Sequence, residues 1–110
     1  MFEKNLKQGY LLDFYGDILT DRKKEVLDMY YNEDFSLAEI AEQIGISRQG
    51  VRDIIKKAEE ELNFFEEKLG LAENASLLRT HSEKLLDIID RNGCAEDLRK
   101  EVIEIRKLIK

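Results

Sequence analysis

The stretch SLAEIAEQIGISRQGVRDIIKKAEEEL, residues 36–62, leaves its chain few folds to choose from. Ser36 followed three residues later by Glu39 is a capping box, so a helix begins just after Ser36. Ala41 offers a small surface where a second helix can cross closely. Four residues on, Gly45 tolerates the positive φ of a sharp turn. Ser47 then caps another helix. Ile40, Ile44 and Ile46 lie on both sides of the turn, and Val51 and Ile54 follow at inward spacing. The requirements of a helix-turn-helix are met in one register.

The rest of the chain reads as helix too. It contains no proline, so nothing forbids long helices. A first helix is predicted from about Asn5 to Asp17, with Leu6, Tyr10, Leu11, Phe14 and Ile18 as its apolar side. Thr20 is an N-cap with Asp21 in the first turn, where the helix dipole favours an anion. This second helix runs to about Tyr31 and buries Val26, Leu27, Tyr30 and, at its edge, Tyr31, before NEDF breaks it. In the third helix Ala38, Ile40, Ala41 and Ile44 are the apolar positions. The fourth runs from about Arg48 to Leu69. Its stripe Val51, Ile55, Ala58, Leu62, Phe65 and Leu69 has heptad-like spacing, and Gly70 is a natural stop.

A second unit follows a short linker at Gly70–Asn74. Leu78, His81, Leu85 and Ile88 form one stripe, Gly93 is the C-cap residue, and Ala95, Leu98, Val102, Ile105 and Ile109 form another. The expected fold is all-α: a helix-turn-helix domain over residues 1–70, with a long fourth helix, and a C-terminal αα-hairpin over residues 71–110. Two helices bury only one seam, so Leu77, Leu86, Ile89, Ile103 and Leu108 need a further surface, either the first unit or a second chain. A homodimer through this hairpin is the hypothesis, since helix-turn-helix readers of DNA commonly dimerise to reach two half-sites.

The face that the fourth helix turns outward carries Ser47, Arg48, Gln49, Arg52, Asp53, Lys56 and Lys57. Arginine and glutamine can read guanine and adenine edges bidentately, and lysines and a capping serine suit phosphate. The strip is basic although the net charge is −6. Residues 1–70 hold ten Lys/Arg against sixteen Asp/Glu, and residues 71–110 hold eight of each. Such a balance opposes phosphate binding over the whole surface, so any nucleic-acid site must be local. Gly50 costs about 1 kcal/mol of helix propensity relative to alanine, which favours a close backbone approach there.

At these residues the chain resembles known proteins. LTDRKKEVLDMYYNEDFSLAEIAEQIGISRQGVRDIIKKAEEEL resembles region four of bacterial sigma factors, which reads the promoter −35 element. The leader LLDFYGDILTDRKKEVLDMYYNEDFSLAEIA, the SRQGV turn and EEKLGL resemble the YlxM family of small bacterial helix-turn-helix proteins over about residues 6–71. The resemblance implies a sigma region-four-like, winged-helix-like DNA reader tied to the signal recognition particle pathway, whose genes lie beside the family's own. It places Arg48, Gln49 and Arg52 toward bases, and Lys56, Lys57 and Ser47 toward phosphate. The family tends to have a larger residue where Gly50 stands.

Other chemistry finds little support. His81 lies on an apolar stripe, where histidines are usually packed and hydrogen-bonded. Cys94, the sole cysteine, is too far along the helix from His81 to act with it, and it fits a reducing cytoplasm. The acidic runs EEEL and FEEKL read as a solvated face without metal-ligand spacing. No Gly-rich phosphate loop occurs, so no cofactor, metal or catalytic role is expected. The N-terminal segment lacks the pattern of a signal peptide, and no apolar run reaches the roughly 20 residues of a membrane span. The expectation is a cytoplasmic protein whose partner is double-stranded DNA. The competing reading is a non-catalytic adaptor that binds the signal recognition particle or RNA polymerase through protein contacts. Binding to structured RNA is weaker, since the Phe and Tyr residues occupy core positions rather than a stacking platform.

Overall fold

The computed structural model describes residues 6–109 and has the all-α class expected of the sequence. The helices are α1 (Leu6–Tyr15), α2 (Asp21–Leu27), α3 (Leu37–Ile44), α4 (Arg48–Leu69), α5 (Leu71–Asp90) and α6 (Ala95–Lys107). No strand occurs among the described residues, so the helix-turn-helix carries no β-wing there. Internal packing divides the chain into Met1–Gly70 and Leu71–Lys110.

In the first unit α4 is the spine, packed against α1, α2 and α3. Val51, Ile55, Ala58 and Leu62 on its inner face are fully buried. At about 25 cal/mol per Å² of apolar surface, burying the Val51, Ile55 and Leu62 side chains contributes roughly 1.5–3 kcal/mol each. Farther along the stripe the burial runs out. Phe65 is half-buried beside Tyr15, with ring centroids 6.0 Å apart, and Leu69 is 50% exposed.

The core face of α1 differs from the stripe in the sequence. Leu6 and Ile18 are 87% and 55% exposed, and the first helix's predicted start, Asn5, lies outside the described residues. The buried positions are Gln8, Leu11, Leu12 and Tyr15, an i, i+3, i+4, i+7 face. Gln8 is polar and Tyr15 carries a hydroxyl, which helps hide the face from a hydrophobicity pattern. Each polar tip has a partner on α4: Gln8 Nε2 donates to Asn63 Oδ1 at 2.7 Å, and Tyr15 donates to Glu66 at 2.6 Å. The helix then closes in a 3₁₀ turn, Gly16–Ile18, instead of running on to Asp17.

Thr20 caps α2 as its sequence requires, accepting from the Lys23 N–H at 3.4 Å. The regular helix expected to Tyr31 stops at Leu27 and widens into a π turn over Asp28–Asn32, where Glu33 N–H reaches back to the Asp28 carbonyl at 3.0 Å. The extra residue in that turn lets Tyr30 be buried while Tyr31 packs beside it, edge to face at 5.1 Å. Asp34, at φ +59, then turns the chain toward α3.

Three carboxylates of the acidic runs on α4 correct the reading of a solvated face. Glu59 accepts from the Tyr31 hydroxyl, Glu61 pairs with Lys23 at 2.6 Å, and Glu66 accepts from Tyr15. All three are half-buried, whereas Glu60 and Glu67 are exposed as expected. These bonds tie α4 to α1 and to the α2 region, and each charge-assisted bond contributes on the order of 1.5–3 kcal/mol before solvent screening reduces it.

In the second unit α5 begins directly after Gly70, so Leu71–Asn74 are helical and not linker. Gly70 itself, at φ +65, ends α4 as predicted. The α5–α6 turn divides its labour differently from the sequence reading. Asn92 supplies the left-handed residue at φ 54, while Gly93 is needed for close approach: a Cβ there would stand 2.5 Å from the Ile88 side chain. His81 is the packed histidine expected, with Nδ1 2.7 Å from a carboxylate oxygen of Glu101 across the hairpin seam. Cys94 is exposed at the start of α6. Ile88 is buried, but Leu77, Leu86, Ile89, Val102 and Ile103 are between 37% and 60% exposed.

Candidate nucleic-acid interface

Local chemistry builds the turn that carries the site. Ser36 accepts from the Glu39 N–H at 3.1 Å while the Glu39 carboxylate accepts from the Ser36 N–H at 3.0 Å, completing the capping box of α3. At the far end Gly45 takes φ +75, and the N–H groups of Gly45 and Ile46 both return to the Ala41 carbonyl, at 2.9 and 3.2 Å. A Cβ on Gly45 would meet nothing within 4 Å. Glycine is therefore required by conformation and not by space, and Gly45→Ala is expected to cost about 1–2 kcal/mol of stability in a urea melt. Ile40 and Ala41 close the inside of the turn, Ile44 and Ile54 are half-buried, and Ile46 is 37% exposed.

Gly50 has a structural reason that its sequence did not reveal. Ser47 caps α4 by accepting from the Gly50 N–H at 3.0 Å. A Cβ on Gly50 would stand 3.2 Å from that hydroxyl oxygen and 3.3 Å from Ile46 Cδ1. Ile46 folds over the first turn of α4 where a side chain would otherwise be, so the glycine serves packing within the turn.

Every candidate residue is exposed: Ser47, Arg48, Gln49, Arg52, Lys56 and Lys57. Arg48, Arg52 and Lys56 recur at i, i+4, i+8 and make one row along α4. Gln49, Asp53 and Lys57 make the next. Gln49 Nε2 donates to Asp53 Oδ1 at 3.0 Å, a contact the sequence reading left out. Burial pushes the Tyr30 phenol above its usual range; Glu59 adds to the shift and Arg52 acts against it. Arg52 is thus electrostatically coupled to the buried tyrosine beneath the site.

Reading α4 alone also missed its neighbour. Ser36, Leu37 and Ala38, at the start of α3, line one open depression with Arg48, Gln49 and Arg52. The first-turn N–H groups of Leu37, Ala38, Arg48 and Gln49 have no intrahelical acceptor and suit an anion. The capping box was the available signal, since it fixed where α3 starts; the crossing of α3 over α4 brings that start beside the second helix.

The sequence of this chain is matched among known proteins. A family model described as "Putative helix-turn-helix protein, YlxM / p13 like" fits residues 2–104. The chain belongs to this family. A UPF0122 protein of Geobacillus kaustophilus is 41% identical over 109 residues, covering 98% of this chain and 99% of the relative. One from Thermoanaerobacter sp. is 43% identical over 102 residues, covering 90% and 87%. One from Acetivibrio thermocellus reaches 55% over 69 residues, covering 63% and 59%. The YlxM likeness drawn from the SRQGV turn and its leader is therefore shown, and it extends well into the C-terminal hairpin. Among the described residues of this UPF0122 chain no helix is long and apolar enough to cross a membrane.

Proposed function

We propose that this protein is a non-catalytic helix-turn-helix regulator that binds double-stranded DNA with the N-terminal half of α4 in the major groove. Arg48, Gln49 and Arg52 face base edges, and Ser47, Lys56 and Lys57 hold backbone phosphate. The observation that carries this reading is the exposed cationic row beside the α3 start, on a scaffold whose inner face is fully buried. The acidic net charge of −6 opposes phosphate binding over the surface as a whole, so the reading rests on this local cationic row. The test is a titration of labelled duplex at several salt concentrations. Affinity should fall with a log–log slope of roughly −2 to −4, at about −0.9 per phosphate neutralised. A flat salt response would remove the proposal.

The exposed apolar residues of α5 and α6 support a homodimer through the hairpin. The hairpin carries equal numbers of acids and bases, so two copies meet without net repulsion. Light scattering at micromolar concentration should give twice the 12.9 kDa chain mass. A monomer would contradict it.

A second reading rests on a different face. Asp21, Lys24, Glu25, Asp28, Met29 and Glu33 line an acidic depression along α2 and its π turn, suited to a basic partner. In this reading the scaffold is an adaptor for a protein of the signal recognition particle or for RNA polymerase, as the family resemblance implies. Capture of the particle's protein subunit that survives nuclease treatment would favour it, and loss of capture with nuclease would count against it.

A further inference from the structure

Asp53 is out of place on a surface meant for phosphate. It is exposed between Arg52 and Lys56, where a carboxylate repels the DNA backbone. On that face it accepts a hydrogen bond from the Gln49 amide, 3.0 Å away and one helical turn back. Counted at about 100° per residue, Gln49 and Asp53 lie roughly opposite Val51, whose side chain is fully buried. Both lie on the outward face of the N-terminal half of α4.

The geometry points to Asp53 as a positioning residue that sets base preference through Gln49. This rests on the DNA-binding reading of the same helix. A carboxylate can only accept, so it must face the Nε2 end of the amide and never the oxygen. A free glutamine can flip its amide end for end and offer a donor or an acceptor in either place. With Asp53 holding one N–H, the amide keeps its carbonyl oxygen and its second N–H for the groove. That pair matches adenine, whose N6 amino group donates and whose N7 accepts. Guanine, with two acceptors on that edge, is disfavoured because the fixed carbonyl oxygen would face one of them. Arg48, Arg52, Lys56 and Lys57 offset the unfavourable charge that Asp53 brings.

The inference separates affinity from specificity, which a merely helix-stabilising pair would not do. The full chain and its Gln49→Ala, Asp53→Ala and Asp53→Glu variants are taken through selection on a randomised duplex library, with affinity measured on the selected sequences. The wild type should prefer adenine at one position by roughly tenfold, the discrimination of a bidentate pair. Gln49→Ala should flatten that position. Asp53→Ala should flatten the same position while raising affinity for unrelated duplex a few-fold, since a repelling charge is gone. Asp53→Glu, which keeps an acceptor within reach, should retain the preference. An Asp53→Ala variant that keeps the adenine preference would overturn the inference and leave DNA binding standing, and so would flattening at a different position. A wild type that binds no duplex would overturn the DNA-binding reading and this inference with it.

Discussion

Replacing Arg48 and Arg52 together with alanine is expected to weaken duplex binding by roughly a hundredfold. Each contact from a base-facing arginine contributes on the order of 1–3 kcal/mol, and a factor of ten corresponds to about 1.4 kcal/mol. Both side chains are exposed and outside the core, so the double variant should still fold, with a cooperative melting curve followed by circular dichroism. Lys56→Ala and Lys57→Ala should act differently. Each should weaken all duplexes alike and reduce the salt slope by about one. Unchanged binding by the well-folded arginine double variant would show that this face is not the reader.

Ile55→Ala is expected to destabilise the protein by about 2–5 kcal/mol, the cost of lost burial plus a cavity. Ile55 is fully buried on the helix that every other helix of its unit packs against. Against a total stability of about 5–15 kcal/mol, such a loss brings the helix-turn-helix near the edge of folding. Ile18→Ala is the contrasting case. The sequence pattern places Ile18 on a core stripe, but it is 55% exposed, and its replacement should cost under about 0.5 kcal/mol. Urea denaturation of both variants measures the difference. Equal effects at the two positions would contradict the burial of Ile55 and the exposure of Ile18 in the turn after α1.

That contrast shows what was legible in the sequence and why. The bounds of α4 could be read to the residue because both ends are local chemistry: the Ser47 hydroxyl meets an N–H three residues away, and Gly70 supplies a left-handed stop. The capping box at Ser36 and the Gly45 turn were legible for the same reason. The face of α1 was not, because Gln8 and Tyr15 are buried with polar tips whose partners are far off in sequence. Tyr15, Lys23 and Tyr31 reach their glutamates across 51, 38 and 28 residues, so the acids looked solvated. The π turn after α2 depends on fitting two tyrosines side by side, which no spacing within the helix announces.

The candidate site was legible in composition more than in arrangement. Ser47, Arg48, Gln49, Arg52, Lys56 and Lys57 could be named from helical spacing, and all of them are exposed. Two features needed coordinates. One is the depression that joins Ser36, Leu37 and Ala38 to Arg48, Gln49 and Arg52. The other is the close approach of Ile46 to Gly50, which gives the glycine a packing role within the turn.

Amide chemical-shift mapping with ¹⁵N-labelled protein tests most directly where on the molecule DNA binds. On titration with duplex DNA, the perturbed amides should cluster at residues 36–38 and 47–57, with α5, α6 and the acidic side of α2 left quiet. Perturbations gathered on α2 or the hairpin instead, with the first turns of α3 and α4 unmoved, would contradict the account.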